Sequence, residues 1–137
     1  MSTRFEELAN HAIAWQYNRP VPADTALISA ETFIMDFASV FLDVGRRVGK
    51  STYIARKSRP GDLVIVSSEC EARLMQMHTG AAVHTVEQLA RSGFDYRMYD
   101  WIWVDEPGRC TRAVKGLKWL YGAKFTKDSF LVVLGGM

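Results

Sequence analysis

The stretch Val40-Phe41-Leu42-Asp43-Val44-Gly45-Arg46-Arg47-Val48-Gly49-Lys50-Ser51-Thr52 decides how this chain folds. Val40 to Val44 is a short run dominated by bulky and β-branched residues, the composition of a strand buried between helical layers. Two glycines then break the run, and Lys50 to Lys57 has helical character. Strand, glycine turn and helix in that order form the unit from which parallel α/β sheets are built. Four further β-prone runs follow, at Leu63 to Val66, Ala82 to Val86, Trp101 to Val104 and Phe130 to Leu134. Between them Glu69 to Met77, Glu87 to Arg91 and Arg112 to Leu120 read as helices, and Arg59-Pro60-Gly61-Asp62 as a sharp break. The expected fold is three-layer α/β/α around a mainly parallel sheet of about five strands.

Ahead of this core, Thr3 to Glu6 has a capping-box pattern, and Phe5, Leu8, Ala9, Ala12 and Ile13 recur at helical spacing. That helix should stop before Pro20-Val21-Pro22, and a second helical stretch is expected at about Ala30 to Ala38. No Gly, Ser or Pro linker divides the chain, so the expectation is one domain over 1–137, with N-terminal helices in 1–39 and a core in 40–137.

Composition narrows the function classes. The 137 residues are 48% hydrophobic and 23% charged, which argues against a disordered or collagen-like chain. No apolar run approaches the ~20 residues of a membrane span, and Arg4, Glu6 and Glu7 replace any apolar leader, so a cytoplasmic protein without a membrane partner is expected. Cys70 and Cys110 lie in unrelated contexts and are expected to be reduced and structural. His11, His78 and His84 lack ligand spacing and are expected to be structural or surface residues. Met75, Met77, Met98 and the tryptophans read as core or half-buried, although Trp15, Gln16 and Tyr17 would suit an adenine ring if the first helix packed near the glycine turn. Net charge is only +2, yet 46–59 holds Arg46, Arg47, Lys50, Arg56, Lys57 and Arg59 without one carboxylate. Such a stretch either faces phosphates or forms a solvated helix surface.

The turn itself carries the chemistry. A strand entering a helix through glycines presents backbone N–H groups at the positive end of the helix dipole, where phosphates can be cradled. Gly45, Arg46, Arg47, Val48, Gly49, Lys50, Ser51 and Thr52 are therefore the candidate nucleotide-binding residues. Lys50 adds a point charge for the β and γ phosphates, and the Ser51 hydroxyl a ligand for Mg2+. The usual spacing places a glycine where Val44 stands, with Gly45 one position later. Further along, Trp101-Ile102-Trp103-Val104-Asp105-Glu106 is an apolar strand ending in two acids, and the carboxyl ends of parallel strands form the ligand-binding edge. In that setting Asp105 would hold the metal while Glu106 polarised the water attacking the γ-phosphate. The bland alternative is that Asp105-Glu106-Pro107-Gly108 is an acidic turn closing a strand.

Over about 40–135 the chain resembles the P-loop ATPases that carry a catalytic glutamate beside the magnesium-binding aspartate, the RecA-like group of helicases and viral DNA-packaging motors. Gly45 to Ser51 looks like the arginine-bearing phosphate loop of phage terminase large subunits, and that resemblance implies a γ-phosphate role for Arg46 or Arg47. Val83 to Leu89 followed by Tyr99 to Glu106 looks like superfamily 1 helicases, and Leu131 to Gly136 like their next strand. Up to Met137 that strand meets no sensor glutamine, and a core without a second RecA-like domain or a nuclease domain is expected. The resemblance therefore implies a minimal helicase- or terminase-like core for a viral nucleic-acid process, in the host cytoplasm. A second copy or a partner protein would complete its site, and nucleic acid is an implied partner.

Three functions follow as expectations. The first is Mg2+-dependent ATP binding and hydrolysis, with Lys50, Arg46 and Glu106 catalytic and Ser51 and Asp105 holding the metal. Turnover in isolation would be slow, because a supplied arginine can be worth ~10³-fold. The second is a nonhydrolysing module that keeps this fold to bind a protein or nucleic acid. The third, a nucleotide kinase, lacks an acceptor site and an arginine-rich lid. Arg109 and Arg112 fit an arginine finger to a neighbouring subunit, a contact to a nucleic-acid backbone, or an exposed helix surface.

Overall fold

The computed structural model describes residues 4–20, 29, 33, 37–42, 49–92, 98–105 and 129–135, with the backbone alone at 90–92. Helix α1 spans Arg4–Tyr17 and stops ahead of Pro20, as the proline requires. Its end is closed by Asn18, whose backbone N–H and side-chain amide both donate to the Ala14 carbonyl, at 3.1 and 2.8 Å. Thr3, the expected cap, lies outside the described residues. In the second expected helix the Phe33 N–H donates to the Ser29 carbonyl at 2.9 Å, a helical spacing.

The remaining elements alternate: β1 (Ser39–Leu42), α2 (Lys50–Lys57), β2 (Leu63–Val66), α3 (Glu69–Gln76), β3 (Ala82–Thr85), α4 (Val86–Ser92), β4 (Trp101–Asp105) and β5 (Phe130–Leu134). The strands form one five-stranded sheet in the order β1-β5-β4-β2-β3, and every described pairing is parallel. The fold is mixed α/β and compatible with three α/β/α layers. In register, Phe41, Val133, Val104, Ile65 and His84 form one row across all five strands. Strands β2 and β5 are buried along their whole length and β4 after its first residue, which is why each reads as an unbroken apolar run.

Several boundaries differ by a residue from the expected ones: β1 begins at Ser39 rather than Val40, β4 runs on to Asp105, α3 ends before Met77, and β3 gives way to α4 at Val86. Strand β3 ends at Thr85 rather than Val86, because Thr85 and Gln88 form a reciprocal capping box: the Gln88 N–H donates to Thr85 Oγ1 at 3.2 Å and the Thr85 N–H to Gln88 Oε1 at 2.9 Å. Val86 thereby opens α4. Helix α3 is capped by Ser68, whose Oγ accepts the Glu71 N–H at 3.3 Å, and ends at Gln76. Met77 is 75% exposed and Met98 73% exposed, so neither is the core residue expected, whereas Met75 is buried. Cys70 is a free thiol exposed on α3 rather than a packed one. Cys110 and the expected helix at Arg112 to Leu120 lie outside the described residues. Before β2, Arg59-Pro60-Gly61-Asp62 turns with Gly61 at φ +96° and the Asp62 N–H donating to the Arg59 carbonyl at 2.9 Å. Among the described residues no helix is long and apolar enough to cross a membrane.

Tyr53 holds the layers together. Its ring lies edge-on to Phe5 of α1 at 5.6 Å and to Trp103 of β4 at 6.3 Å, and its hydroxyl donates to Asn10 Oδ1 at 2.7 Å. Burial, and then the nearby Glu6 carboxylate, push its pKa from 10.0 up to about 12. The folded state thus retains the phenol proton that the unfolded chain gives up near pH 10, so Tyr53 contributes stability below that pH and loses it as pH rises toward 12. Denaturant midpoints measured from pH 9 to about 12 should fall less steeply for Tyr53→Phe than for the parent. Parallel curves would show that this phenol does not couple the layers to pH.

Candidate functional site

Parallel strands deliver all five carboxyl ends to one edge, and that edge has a crevice. From β4 the next strand lies toward β1, while from its sheet neighbour β2 the next strand lies the opposite way. Diverging connections of this kind leave an opening at the carboxyl ends, where ligands bind in open α/β sheets. A cavity of about 380 Å³ occupies this position, between α2 and α3, lined among others by Ser51, Thr52, Val66, Glu71, His78 and Asp105.

Gly49 has φ +91° and ψ 24°, a left-handed conformation that glycine adopts without the Cβ penalty. A Cβ there would meet nothing within 4 Å, so the need for glycine is conformational rather than spatial. Its carbonyl accepts the first helical bond, from the Tyr53 N–H at 2.9 Å, and it has no side chain to cap the helix. The N–H groups of the first turn of α2 therefore face the carboxyl edge uncapped by Gly49, and that turn carries no acid. Lys50 is only 6% exposed at this helix start, and Ser51 and Thr52 follow it.

Ser51 joins the two motifs. Its hydroxyl donates to Asp105 Oδ2 at 2.5 Å, across 54 positions of sequence. Asp105 is the last residue of β4 and only 5% exposed, which sets it apart from a solvated turn acid. Burying a carboxylate is costly unless charge or hydrogen bonds compensate it, and the hydroxyl supplies one such bond. Hydroxyl and carboxylate together are the hard oxygen donors that Mg2+ takes, and the adjoining cavity leaves room for the water ligands it keeps. The structure thus brings Ser51 and Asp105 together with Lys50 and Thr52 beside them. Gly45, Arg46, Arg47, Val48 and Glu106 lie outside the described residues.

One neighbour escaped the sequence argument. Glu71 lines the same cavity, with Oε2 accepting the Ser67 N–H at 3.2 Å and the Ser67 hydroxyl. Its signal was the spacing Ser68-x-x-Glu71 directly after an apolar strand, a helix start at the ligand-binding edge. The suggestion that Trp15, Gln16 or Tyr17 flank a base near the glycine turn is corrected for Tyr17, which stacks on Trp101 and meets Phe130 edge-on, both first residues of their strands. That end of α1 belongs to the amino edge of the sheet. The basic stretch is split as well: Lys50 stands at the carboxyl edge, Arg56 pairs with Glu6 at 2.6 Å, and Lys57 and Arg59 reach the amino edge.

Compared with models of protein families, with curated proteins and with solved structures, the chain finds no match in any of the three.

Replacing Gly49 by alanine should lower stability by about 1 kcal/mol, from left-handed strain at the start of α2. Urea denaturation checks this, and an unchanged midpoint would mean the turn does not need its positive φ.

Proposed function

We propose that this chain is a Mg2+-dependent ATPase core of the P-loop, RecA-like kind, acting in a nucleic-acid process. The observation that carries the proposal is the Ser51–Asp105 hydrogen bond at the carboxyl edge, which unites the glycine turn with the acidic strand beside a cavity. In this reading the amides of Gly45 to Gly49 and of the first turn of α2 cradle the phosphates, and Thr52 closes the cradle. Lys50, held at the helix start, places its ammonium against the β and γ phosphates, and Arg46 or Arg47 adds charge at the γ-phosphate.

Ser51 Oγ and the Asp105 carboxylate would hold Mg2+, whose contribution when bound is to neutralise charge on the phosphate oxygens. Glu106, next in sequence to the buried Asp105, accepts the proton of the attacking water. Its carboxylate is the general base, and the two neighbouring acids have separate tasks. The arginine that finishes charge stabilisation comes from a second copy or a partner, in keeping with a site built on one sheet edge.

Phosphate release from ATP with Mg2+ should fall by about 10²-fold or more in Lys50→Ala and in Glu106→Gln. Calorimetry should separate their causes: Glu106→Gln keeps the heat of ATP binding and Lys50→Ala loses most of it. Equal hydrolysis by parent and both variants removes the mechanism. No heat with the parent would leave the nonhydrolysing module as the function.

A further inference from the structure

A second cavity, of about 710 Å³, opens at the opposite edge of the sheet, between α1 and the residues that lead into β2 and β4. Its volume is that of a small-molecule site, within roughly 300–1,000 Å³. One wall is a column of rings: Tyr17 stacks on Trp101 at 5.4 Å and 25°, and Trp101 on Trp103 at 5.6 Å and 19°. Aromatic residues that serve only as core close on themselves, since protein interiors leave few voids larger than a water. Here Tyr17 is 60% exposed and Trp101 half-buried, beside a space that no described side chain fills.

The polar groups on this cavity are of both hydrogen-bonding kinds. Asn10 commits its Oδ1 to the Tyr53 hydroxyl, which leaves its NH2 as a donor. Asn18 commits its NH2 to the Ala14 carbonyl, which leaves its Oδ1 as an acceptor. Asp62 is buried, its Oδ2 accepting the Arg59 backbone N–H at 2.9 Å and the Trp103 indole N–H at 3.3 Å. Lys57 and Arg59 bring exposed positive charge to the same cavity, and among the described residues neither forms an ion pair with Asp62 or Asp100. The complementary ligand has a planar ring, donors and acceptors at the ring's edge, and an attached anion.

We infer that this amino-edge cavity binds a nucleotide unit, its base against the Tyr17–Trp101 wall and its phosphate at Lys57 and Arg59. Stacking on aromatic rings tolerates any base, and a guanidinium grips phosphate through paired N–H donors. The same chemistry is presented by a free mononucleotide and by one unit of a single strand. The site shares no lining residue with the cavity at the carboxyl edge and does not depend on ATP hydrolysis there.

Tryptophan fluorescence of the full chain tests this, titrated without Mg2+ against AMP and separately against single-stranded oligothymidylate. Saturable quenching is expected with at least one probe, about tenfold weaker in Tyr17→Ala and in the Lys57→Ala/Arg59→Ala double variant, and unchanged in Lys50→Ala. Both charge substitutions are at exposed positions, so the double variant should remain folded even if loss of Tyr17 loosens α1. Quenching by AMP identifies a free nucleotide as a sufficient ligand; quenching by the strand alone identifies nucleic acid. Either result supports the site. No saturable change with both probes overturns it. So does parent-like affinity in both cavity variants, or a loss confined to Lys50→Ala, which would move the binding to the carboxyl edge.

Discussion

Parallel pairing is the constraint on which the rest of this structure depends. Because β1, β5, β4, β2 and β3 all run the same way, each chain segment leaving a strand leaves from one edge, and each segment entering arrives at the other. The leaving edge collects helix starts, with outward N–H groups and a positive dipole end. The entering edge collects turns and the far ends of helices. Ser51 and Asp105 are far apart in sequence, but one follows β1 and the other ends β4, strands separated only by β5, so their meeting is a consequence of topology.

That meeting has an energetic side. Asp105 lies in a row with Leu134 at the end of the sheet, where Val104 beside it is fully buried, and a carboxylate in such surroundings is retained only with compensation. An apolar residue would complete β4 at less cost in stability. The presence of an acid there, donated to by a serine from the first turn of α2, is a local conflict with packing for which the proposed function gives a reason. Glu71, half-buried on α3 after the adjacent strand, also accepts from a serine hydroxyl and faces the same cavity.

Much of this was legible in the residues. Strands β2 and β5 and helix α2 have the bounds that composition implies, because an apolar run flanked by Pro-Gly, Ser-Ser or Gly-Gly leaves little choice. The pair of motifs was legible for the same reason, each sitting at the end of such a run. What escaped was set by contacts between distant segments or by side-chain caps. Thr85 and Gln88 moved a boundary by one residue through a capping box that periodicity does not register. Met77 and Cys70 look like core residues by type, and the rotation of α3 leaves both exposed. Strand order, and with it the face on which Trp101 meets α1 and Trp103 meets α2, is tertiary information that no local pattern contains.

The basic stretch 46–59 shows why a count of charges says less than their spacing. Its eight-residue helix is about 12 Å long, enough to carry a residue at its start to one edge of the sheet and a residue beyond its end toward the other. Lys50 and Lys57 are two helical turns apart, and the fold gives them different surroundings: one is buried beside the acidic strand, the other exposed on an aromatic cavity. Arg56, between them, is held by Glu6 and ties α1 to α2. A single run of cations is thus divided into a buried start at the carboxyl edge, a structural tie and a second positive surface. The division follows from the helical period together with the position of α2 across the sheet, so a phosphate at either edge would meet charge from the same helix without competing for the same side chain.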